Sequence, residues 1–332
     1  MVGALPGEVV MMNSLTVNLH LLMISFYRPT AERHKIVIED SAFPSDSYAV
    51  QSQIRFHGFD PETSLIRLRP RDGEHTLRSE DVERALDDKS IALVMLGAVN
   101  YLTGQLMEVE RITDAAHERG CVVGWDLAHA AGNVPMRLHD WGVDFAAWCS
   151  YKYLNAGPGA IGGAFVHERH TGSDLPRLEG WWGSDPESRF LMKRDITRLP
   201  SVDTWQLSNP PIMAMAPLKA SLEIFDSVGI GTLRTKSVAL TGYLEKLLAE
   251  RCAGRVRVIT PADPAQRGTQ LSLMVEGATK AMQQRLAGEG IIVDFREPNI
   301  FRAAPVPLYV SYHDVWRFVD LLSGLLDRWE RA

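Results

Sequence analysis

Two apolar runs in the middle of the chain end in side chains that could do chemistry. Cys121–Trp125 is followed by Asp126 and, three residues later, by His129, whereas Phe145–Cys149 leads within three residues to Lys152. Short runs that are apolar throughout are typical of buried strands in a parallel sheet. Open α/β sheets bind their ligands at the carboxyl ends of such strands. We therefore expect a carboxylate, an imidazole and a lysine to face one crevice.

A carboxyl group and a lysine in one crevice match the needs of a particular cofactor. Pyridoxal phosphate takes an acid against its pyridine nitrogen and a lysine that forms a Schiff base with its aldehyde. Lys152 stands between Tyr151 and Tyr153 just after a buried run, so it is removed from bulk water, which favours attack of its amine on a carbonyl. Asp126 and Lys152 therefore predict a pyridoxal phosphate site.

The local pattern leaves further roles open for the same residues. Asp126 and His129 are both metal-ligand types, but no third ligand stands at a telling spacing, which disfavours a metal centre. A structural role, in which Asp126 caps a helix and His129 packs, is also open. Lysines at strand ends are common, so the position of Lys152 by itself leaves its role in catalysis undecided.

Length and composition predict a globular protein of more than one domain. A chain of 332 residues is longer than a typical single domain. Its composition, with 45% apolar and 23% charged residues, is typical of globular proteins. We expect a cofactor-binding domain over residues 1–211, followed by a linking helix and a smaller domain over 212–332. The net charge of −6 offers no basic footprint for nucleic acid. The apolar stretch near the start is too short to span a bilayer and lacks a signal-peptide pattern, so we expect no membrane partner.

The three cysteines bear on the cellular compartment. Cys121 and Cys149 lie in the apolar runs, and Cys252 lies at the end of a predicted helix. Three such residues cannot form a disulfide framework, so we expect buried thiols and a reducing, cytoplasmic compartment.

The elements around the candidate residues predict a layered α/β fold. Strands and helices alternate up to Cys121, which predicts right-handed crossovers and a mostly parallel sheet sandwiched by helices. The last third of the chain predicts an α+β domain, with an antiparallel sheet the better-supported form. Its strands are predicted at Val256–Ile259, Gln270–Val275 and Ile291–Phe295, and its helices at Lys280–Ala287 and His313–Trp329.

Three loops near the predicted strand ends suit a bound ligand. A helix that begins near Ser14 or Thr16 presents free N–H groups that suit a phosphate, although a capped helix needs no ligand. Phe43–Asp46 offers an aromatic ring and a carboxylate after a strand, but Ser-Asp is also an ordinary helix start. Gly157–Gly163 contains G-x-G-x-x-G, yet a proline lies inside it and a strand follows, so a dinucleotide site is disfavoured.

Several stretches, in order along nearly the whole chain, resemble kynureninases, a family of fold-type I pyridoxal phosphate enzymes. They are Met12–His20, Phe43–Asp46, Asp126–Ala130, Trp148–Asn155, Gly180–Trp181, Leu207–Pro211 and Arg302–Tyr309. The resemblance implies a large domain with a parallel sheet and a small C-terminal domain. Family members carry a sizeable region before the stretch that begins here at Met12. The resemblance therefore also implies a chain that lacks the family's N-terminal region.

The resemblance implies catalytic roles for four residues. Lys152 would carry the cofactor and shuttle the substrate's Cα proton, while Asp126 would pair with the pyridine nitrogen. Tyr151 would relay protons. Arg302 would bind the substrate's α-carboxylate through two parallel hydrogen bonds, which suits a guanidinium.

The resemblance also implies how the cofactor is held. Phe43 would stack on the ring, with Asp46 and His129 in its hydrogen-bonding surroundings. The rest of the phosphate and cofactor pocket would come from Leu15, Thr16, Tyr151, Trp181 and Asn209. Trp181 and Asn209 would reach in from the second subunit of a homodimer.

The implied reaction is hydrolytic Cβ–Cγ cleavage of L-kynurenine to anthranilate and L-alanine in tryptophan breakdown. 3-Hydroxykynurenine, which would give 3-hydroxyanthranilate, is the second possible substrate. A pyridoxal phosphate lyase of the cysteine desulfurase type, or a protein that keeps the fold but has lost catalysis, would fit the same fold. The desulfurase hypothesis needs a mobile cysteine late in the chain, and Cys252, at a predicted helix end, does not look like one.

Overall fold

The structure, a computed structural model, describes residues 1–329 and divides the chain into two compact units. The first unit comprises Met1–Pro70, Leu77–Ala98 and Met107–Ser227, and the second comprises Arg71–Thr76, Val99–Leu106 and Val228–Ala332. The predicted domain boundary at residue 211 lies before the observed one, which falls between Ser227 and Val228. The difference arises because Leu218, on the helix that follows that boundary, packs with Ala156, Ala160 and Ile161 of the first unit.

A seven-stranded sheet is the frame of the first unit. Its strands are β1 (Val9–Met11), β2 (Lys35–Glu39), β3 (Leu65–Leu68), β4 (Ile91–Gly97), β5 (Val122–Asp126), β6 (Phe145–Cys149) and β7 (Gly162–Val166). They lie in the order β1-β7-β6-β5-β4-β2-β3, and the five strands from β6 to β3 are parallel. Strands β7 and β1 close one edge in antiparallel pairing. The predicted mostly parallel sheet is confirmed, and β1 is a strand that the sequence analysis missed.

Helices cover this sheet and begin where the local sequence favours a start. They are α1 (Leu15–Phe26), α2 (Pro44–Phe56), α3 (Pro61–Ser64), α4 (Ser79–Ala85), α5 (Val109–Glu118), α6 (Glu168–Thr171), α7 (Pro186–Arg189) and α8 (Ile212–Val228). Pro44 and Pro61 stand at first helical positions, where the missing N–H is no loss. Gly120, with φ of 69°, lets the chain turn from α5 into β5 without a side-chain clash.

Burial on both faces explains why the strands are apolar throughout. On one face, Leu22 of α1 and Val50 of α2 share a buried cluster with Ile38 of β2 and Phe145 of β6. On the other, α5 packs against β5, where the Trp125 indole N–H donates to the hydroxyl of the Thr113 side chain at 3.2 Å. A strand between two helical layers has no solvent side and therefore no alternation of polar residues.

The second unit is an antiparallel sheet with helices. Its strands β8 (Val256–Val258), β9 (Leu271–Val275), β10 (Asp294–Arg296) and β11 (Ile300–Ala303) lie in the order β10-β11-β9-β8. Its helices are α9 (Ile230–Arg251), α10 (Lys280–Gly288) and α11 (Tyr312–Trp329). Leu244, Leu273, Phe301 and Val319 meet in its core. The predicted antiparallel form is correct, but β11 was not predicted and β10 begins later than expected.

No helix within residues 1–329 has both the length and the apolar character that crossing a membrane requires. The three cysteines are buried free thiols, as predicted for Cys121 and Cys149.

Candidate active site

The carboxyl ends of β5 and β6 form the centre of the candidate site. Asp126 is the last residue of β5 and aligns with Ala147 of its parallel neighbour. Asp126 is buried, and its Oδ1 accepts a 2.7 Å hydrogen bond from the backbone N–H of Ala128, which fixes the carboxyl orientation. Lys152 follows β6 by three residues, and its charge acts on the Asp126 carboxyl. The two strand ends therefore bring an acid and a lysine together.

Phe43 places an aromatic ring beside the lysine. The Nζ atom of Lys152 lies 5.6 Å from the centroid of the Phe43 ring, within the range of a cation–π contact. Phe43 directly precedes α2, and its side chain is exposed. A flat cofactor attached to Lys152 has an aromatic surface ready beside it.

Asp46 and Asp126 form a buried pair of carboxyl groups. Asp46 lies in the first turn of α2. Burial raises the pKa of Asp46 well above its usual value, and the neighbouring carboxylates of Asp126 and Glu39 raise it further. Burial also raises the pKa of Asp126, but the Ala128 N–H and the Lys152 charge oppose this shift. Of the two, Asp46 is the carboxyl whose protonated form the surroundings favour more strongly, whereas the Ala128 N–H and the Lys152 charge favour the ionised form of Asp126.

Two helix starts meet at a pair of hydroxyl groups. The Oγ1 atom of Thr16, in the first turn of α1, lies 2.7 Å from the Oγ atom of Ser45, in the first turn of α2. Leu15 precedes Thr16 and packs against the core of the first unit. Free backbone N–H groups and hydroxyls at converging helix starts suit a phosphate. Ser45 is a contact that the sequence analysis did not assign, although its place after Pro44 at a helix start was a usable signal.

His129 and Tyr151 flank the two strand ends. The His129 ring packs edge-on against Tyr153, with centroids 5.8 Å apart. Partial burial raises the pKa of Tyr151 to about 12, and the neighbouring Cys149 adds to the shift. The Tyr151 phenol therefore keeps its proton at neutral pH and is a hydrogen-bond donor rather than a base.

Trp181 and Asn209 lie on adjacent segments of the first unit. The backbone N–H of Trp182 donates to the carbonyl of Leu207 at 3.3 Å, which ties the two segments together. Trp181 is exposed, and its ring packs edge-on against Phe190 at 5.4 Å. Asn209 is exposed as well.

Arg302 belongs to the second unit, on β11. Its Nε atom donates to Asp294 Oδ2 at 2.6 Å, and its Nη1 atom donates to the carbonyl of Tyr101 at 2.7 Å. The guanidinium also lies over the Tyr101 ring, 5.6 Å from its centroid. Asp294 and Tyr101 were missed by the sequence analysis because the hairpin that pairs Asp294 with Arg302 was not predicted.

The first unit fits pyridoxal phosphate. Asp126 would offer a carboxylate to the pyridine nitrogen, Lys152 an amine to the aldehyde, and the Thr16–Ser45 pair a place for the phosphate. Within residues 1–329, the buried Oδ1 atom of Asp46 has no hydrogen-bond partner, which is consistent with a ligand group beside it.

Solved structures with this fold belong to one class of enzymes. A cysteine desulfurase from Thermococcus onnurineus superposes with a TM-score of 0.82 at 21% identity, covering 98% of this chain and 81% of that one. A cysteine desulfurase from Escherichia coli gives 0.79 at 20% identity, covering 96% and 79%. The fold is that of pyridoxal phosphate enzymes of fold type I, aminotransferase class V. The likeness gives the fold alone, and the full burial of Cys252 disfavours desulfurase chemistry.

Sequence comparison identifies the family within this class. A kynureninase from Salinispora tropica is 59% identical over 98% of this chain and 78% of its own length, and one from Myxococcus xanthus is 58% identical over 98% and 77%. The family model for the kynureninase C-terminal domain matches residues 233–322. The chain belongs to the kynureninase family.

Proposed function

We propose that the chain hydrolyses the Cβ–Cγ bond of L-kynurenine, giving anthranilate and L-alanine in tryptophan breakdown. 3-Hydroxykynurenine, which differs by one ring hydroxyl, is the second possible substrate. The proposal rests on the lysine, carboxylate and aromatic ring at the ends of β5 and β6, in a chain 59% identical to a named kynureninase. Pyridoxal phosphate, when bound, supplies the electron sink for this chemistry.

Lys152 and Asp126 carry the central proton-handling roles. The Nζ atom of Lys152 takes the proton from the substrate's Cα and later returns it. With pyridoxal phosphate bound, Asp126 would accept a hydrogen bond from the pyridine nitrogen and would favour its protonated form. The Ala128 N–H holds the Asp126 carboxylate in orientation, so this pairing needs no rearrangement of the protein. Asp46, protonated, adds a neutral hydrogen-bond donor beside Asp126 without adding a second charge.

The remaining residues bind and orient. Phe43 covers the cofactor ring, and Leu15, Thr16 and His129 complete its surroundings. Tyr151, whose pKa of about 12 keeps the phenol protonated, donates a proton to the cleaving substrate. Arg302 binds the substrate's α-carboxylate with its guanidinium, whose planar fork matches the two carboxylate oxygens.

The test is turnover of L-kynurenine by protein loaded with pyridoxal phosphate. Wild-type protein should show a visible cofactor band and release anthranilate, whereas Lys152→Ala should lack both the band and the turnover. Lys89→Ala removes an exposed lysine and should behave as wild type. A band that L-kynurenine leaves unchanged, with no anthranilate formed, would refute the proposed activity while keeping the cofactor assignment.

We also propose that the chain works as a homodimer in which Trp181 and Asn209 complete the partner's site. The first unit exposes apolar side chains that a partner would cover. They are Phe190, Leu191, Met192, Ile212 and Met213, each at least 68% exposed. The buried free thiols support a reducing, cytoplasmic setting for this assembly.

Subunit mixing tests the shared site. Lys152→Ala and Trp181→Ala should each be inactive alone. Refolded or co-expressed mixtures should recover about a quarter of the wild-type activity, because half of the dimers are mixed and each mixed dimer has one intact site. If Trp181 serves its own subunit, no mixture will recover activity.

A further inference from the structure

A second cluster of ligand-type side chains lies in the first unit, apart from the residues assigned above. It consists of Glu8, His139 and His167, and we name it the Glu8 cluster. One ligand atom from each residue lies within 4.8 Å of the other two. Glu8 ends a short 3-10 turn before β1, and His167 follows β7 directly. The cluster was not predicted from the sequence, because its three residues are far apart in the chain.

Backbone donors hold the Glu8 carboxylate in a fixed orientation. Glu8 is fully buried. Its Oε2 atom accepts from the N–H of Leu5, and its Oε1 atom accepts from the N–H of Glu168, both at 2.8 Å. The same Oε1 atom lies 2.9 Å from Nδ1 of His139. A buried carboxylate is thus aimed through one oxygen at the two imidazoles.

His167 lies beside that same oxygen. The backbone N–H of Arg169 donates to His167 Nδ1 at 3.3 Å, so Nδ1 is an acceptor and the ring proton sits on Nε2. Nδ1 lies 3.6 Å from Glu8 Oε1, which is also an acceptor. A metal ion bound at Nδ1 would replace the Arg169 N–H, whose 3.3 Å contact is longer than the usual hydrogen-bond distance.

The separations suit a small transition-metal ion. Zinc–nitrogen and zinc–oxygen bonds of about 2.0–2.1 Å at tetrahedral angles place ligand atoms about 3.4 Å apart. The distances from Oε1, 2.9 Å to His139 and 3.6 Å to His167, bracket that value. The His139 and His167 rings stack at 4.9 Å with an angle of 20° between their planes. Their side chains, 27% and 12% exposed, leave an approach from solvent.

We propose that the Glu8 cluster binds a divalent ion of the zinc class. Two imidazoles and one carboxylate are a zinc ligand set, and the fourth position is left for water. The ion fastens the segment around Glu8 to the turns that carry His139 and His167. It takes no part in the chemistry at Lys152, so the inference stands independently of the proposed activity.

A second cluster, centred on Asp144, also pairs a buried carboxylate with histidines, but its charge is already balanced by an arginine. It supplies a control variant for the metal-binding test. The Asp144 carboxylate contacts Nε2 of His117 at 2.8 Å and Nε2 of His170 at 2.7 Å, and it also pairs with the guanidinium of Arg169. The guanidinium already supplies the positive charge there. His117 can therefore be changed without touching the proposed metal ligands.

The test is equilibrium dialysis of cofactor-loaded protein against Zn²⁺, with metal per chain measured by mass spectrometry. Wild type and His117→Asn should each bind one saturable equivalent. His139→Asn and His167→Asn should each lower the affinity by at least about 100-fold, since loss of an outer partner alone costs 10–100-fold. Zn²⁺ should raise the melting temperature of wild type but not of these two variants. Both histidines are partly exposed, so the variants should keep the cofactor band that reports folding. Absence of saturable binding by wild type, or equal binding by all variants, would overturn the proposal.

Discussion

Replacing Asp46 with asparagine tests whether the buried carboxyl pair holds a proton. Asp46→Asn keeps the size and neutrality of a protonated carboxyl but cannot titrate. Because burial and the Asp126 carboxylate raise the pKa of folded Asp46, the folded protein holds a proton that the unfolded chain has lost above about pH 4. Folding is then linked to proton uptake. The stability contributed by this proton is present at low pH and is lost as pH rises towards the folded-state pKa.

The magnitude follows from one proton. The free energy of unfolding of wild type should fall by about 1.4 kcal/mol per pH unit relative to Asp46→Asn, as long as folded Asp46 keeps its proton. An unfolding entropy of about 2.1 cal/mol/K per residue gives about 0.7 kcal/mol/K for a chain of 332 residues. The difference in melting temperature between the two proteins should therefore change by about 2 °C per pH unit.

The assay is thermal unfolding of both proteins, without added cofactor, from pH 5 to pH 8. Histidines whose pKa is lowered by burial, such as His20 and His57, affect both proteins equally and cancel in the difference. Asp114→Asn, at an exposed carboxylate, serves as the control and should follow wild type. Parallel melting-temperature curves for wild type and Asp46→Asn would refute the reasoning, because they would mean that folded Asp46 is ionised.

Two further substitutions test the sheet and the arginine. Gly124→Ala places a Cβ atom 2.2 Å from the Phe145 ring on β6. The free energy of unfolding, measured with urea, should therefore fall by about 1–3 kcal/mol or more. Gly172→Ala is the control and should be nearly neutral, because no atom lies within 4 Å of the added Cβ. If both variants change the free energy of unfolding equally, Gly124 is not closely packed against β6. Asp294→Asn removes the carboxylate that orients Arg302 and should raise KM for L-kynurenine about 10-fold with kcat little changed. Asp320→Asn, which removes the partner of Arg251 in the second unit, is the control and should leave KM unchanged. If Asp294→Asn also leaves KM unchanged, Arg302 does not bind the substrate's α-carboxylate.

The central strands and their end residues were predictable because the signal is local. Two apolar runs, each buried on both faces, predicted β5 and β6, and Asp126 and Lys152 follow them directly. The pairing of Asp46 with Asp126 was not predictable, because it depends on how α2 packs over a sheet that connects residues far apart in sequence. The hairpin of β10 and β11 was missed for a related reason. Its strands are three and four residues long, too short for a periodic pattern to stand out.

The two aspartates illustrate why residue type alone does not define this site. Asp46 and Asp126 are both buried, and spacing along the chain gives no reason to treat them differently. The Ala128 N–H and the nearby Lys152 charge stabilise the ionised form of Asp126, whereas Asp46 faces the carboxylates of Asp126 and Glu39. The surroundings therefore favour the ionised form of Asp126 and the protonated form of Asp46. A single negative charge opposite Lys152 suits a protonated pyridine ring, because a second buried carboxylate charge would repel the first.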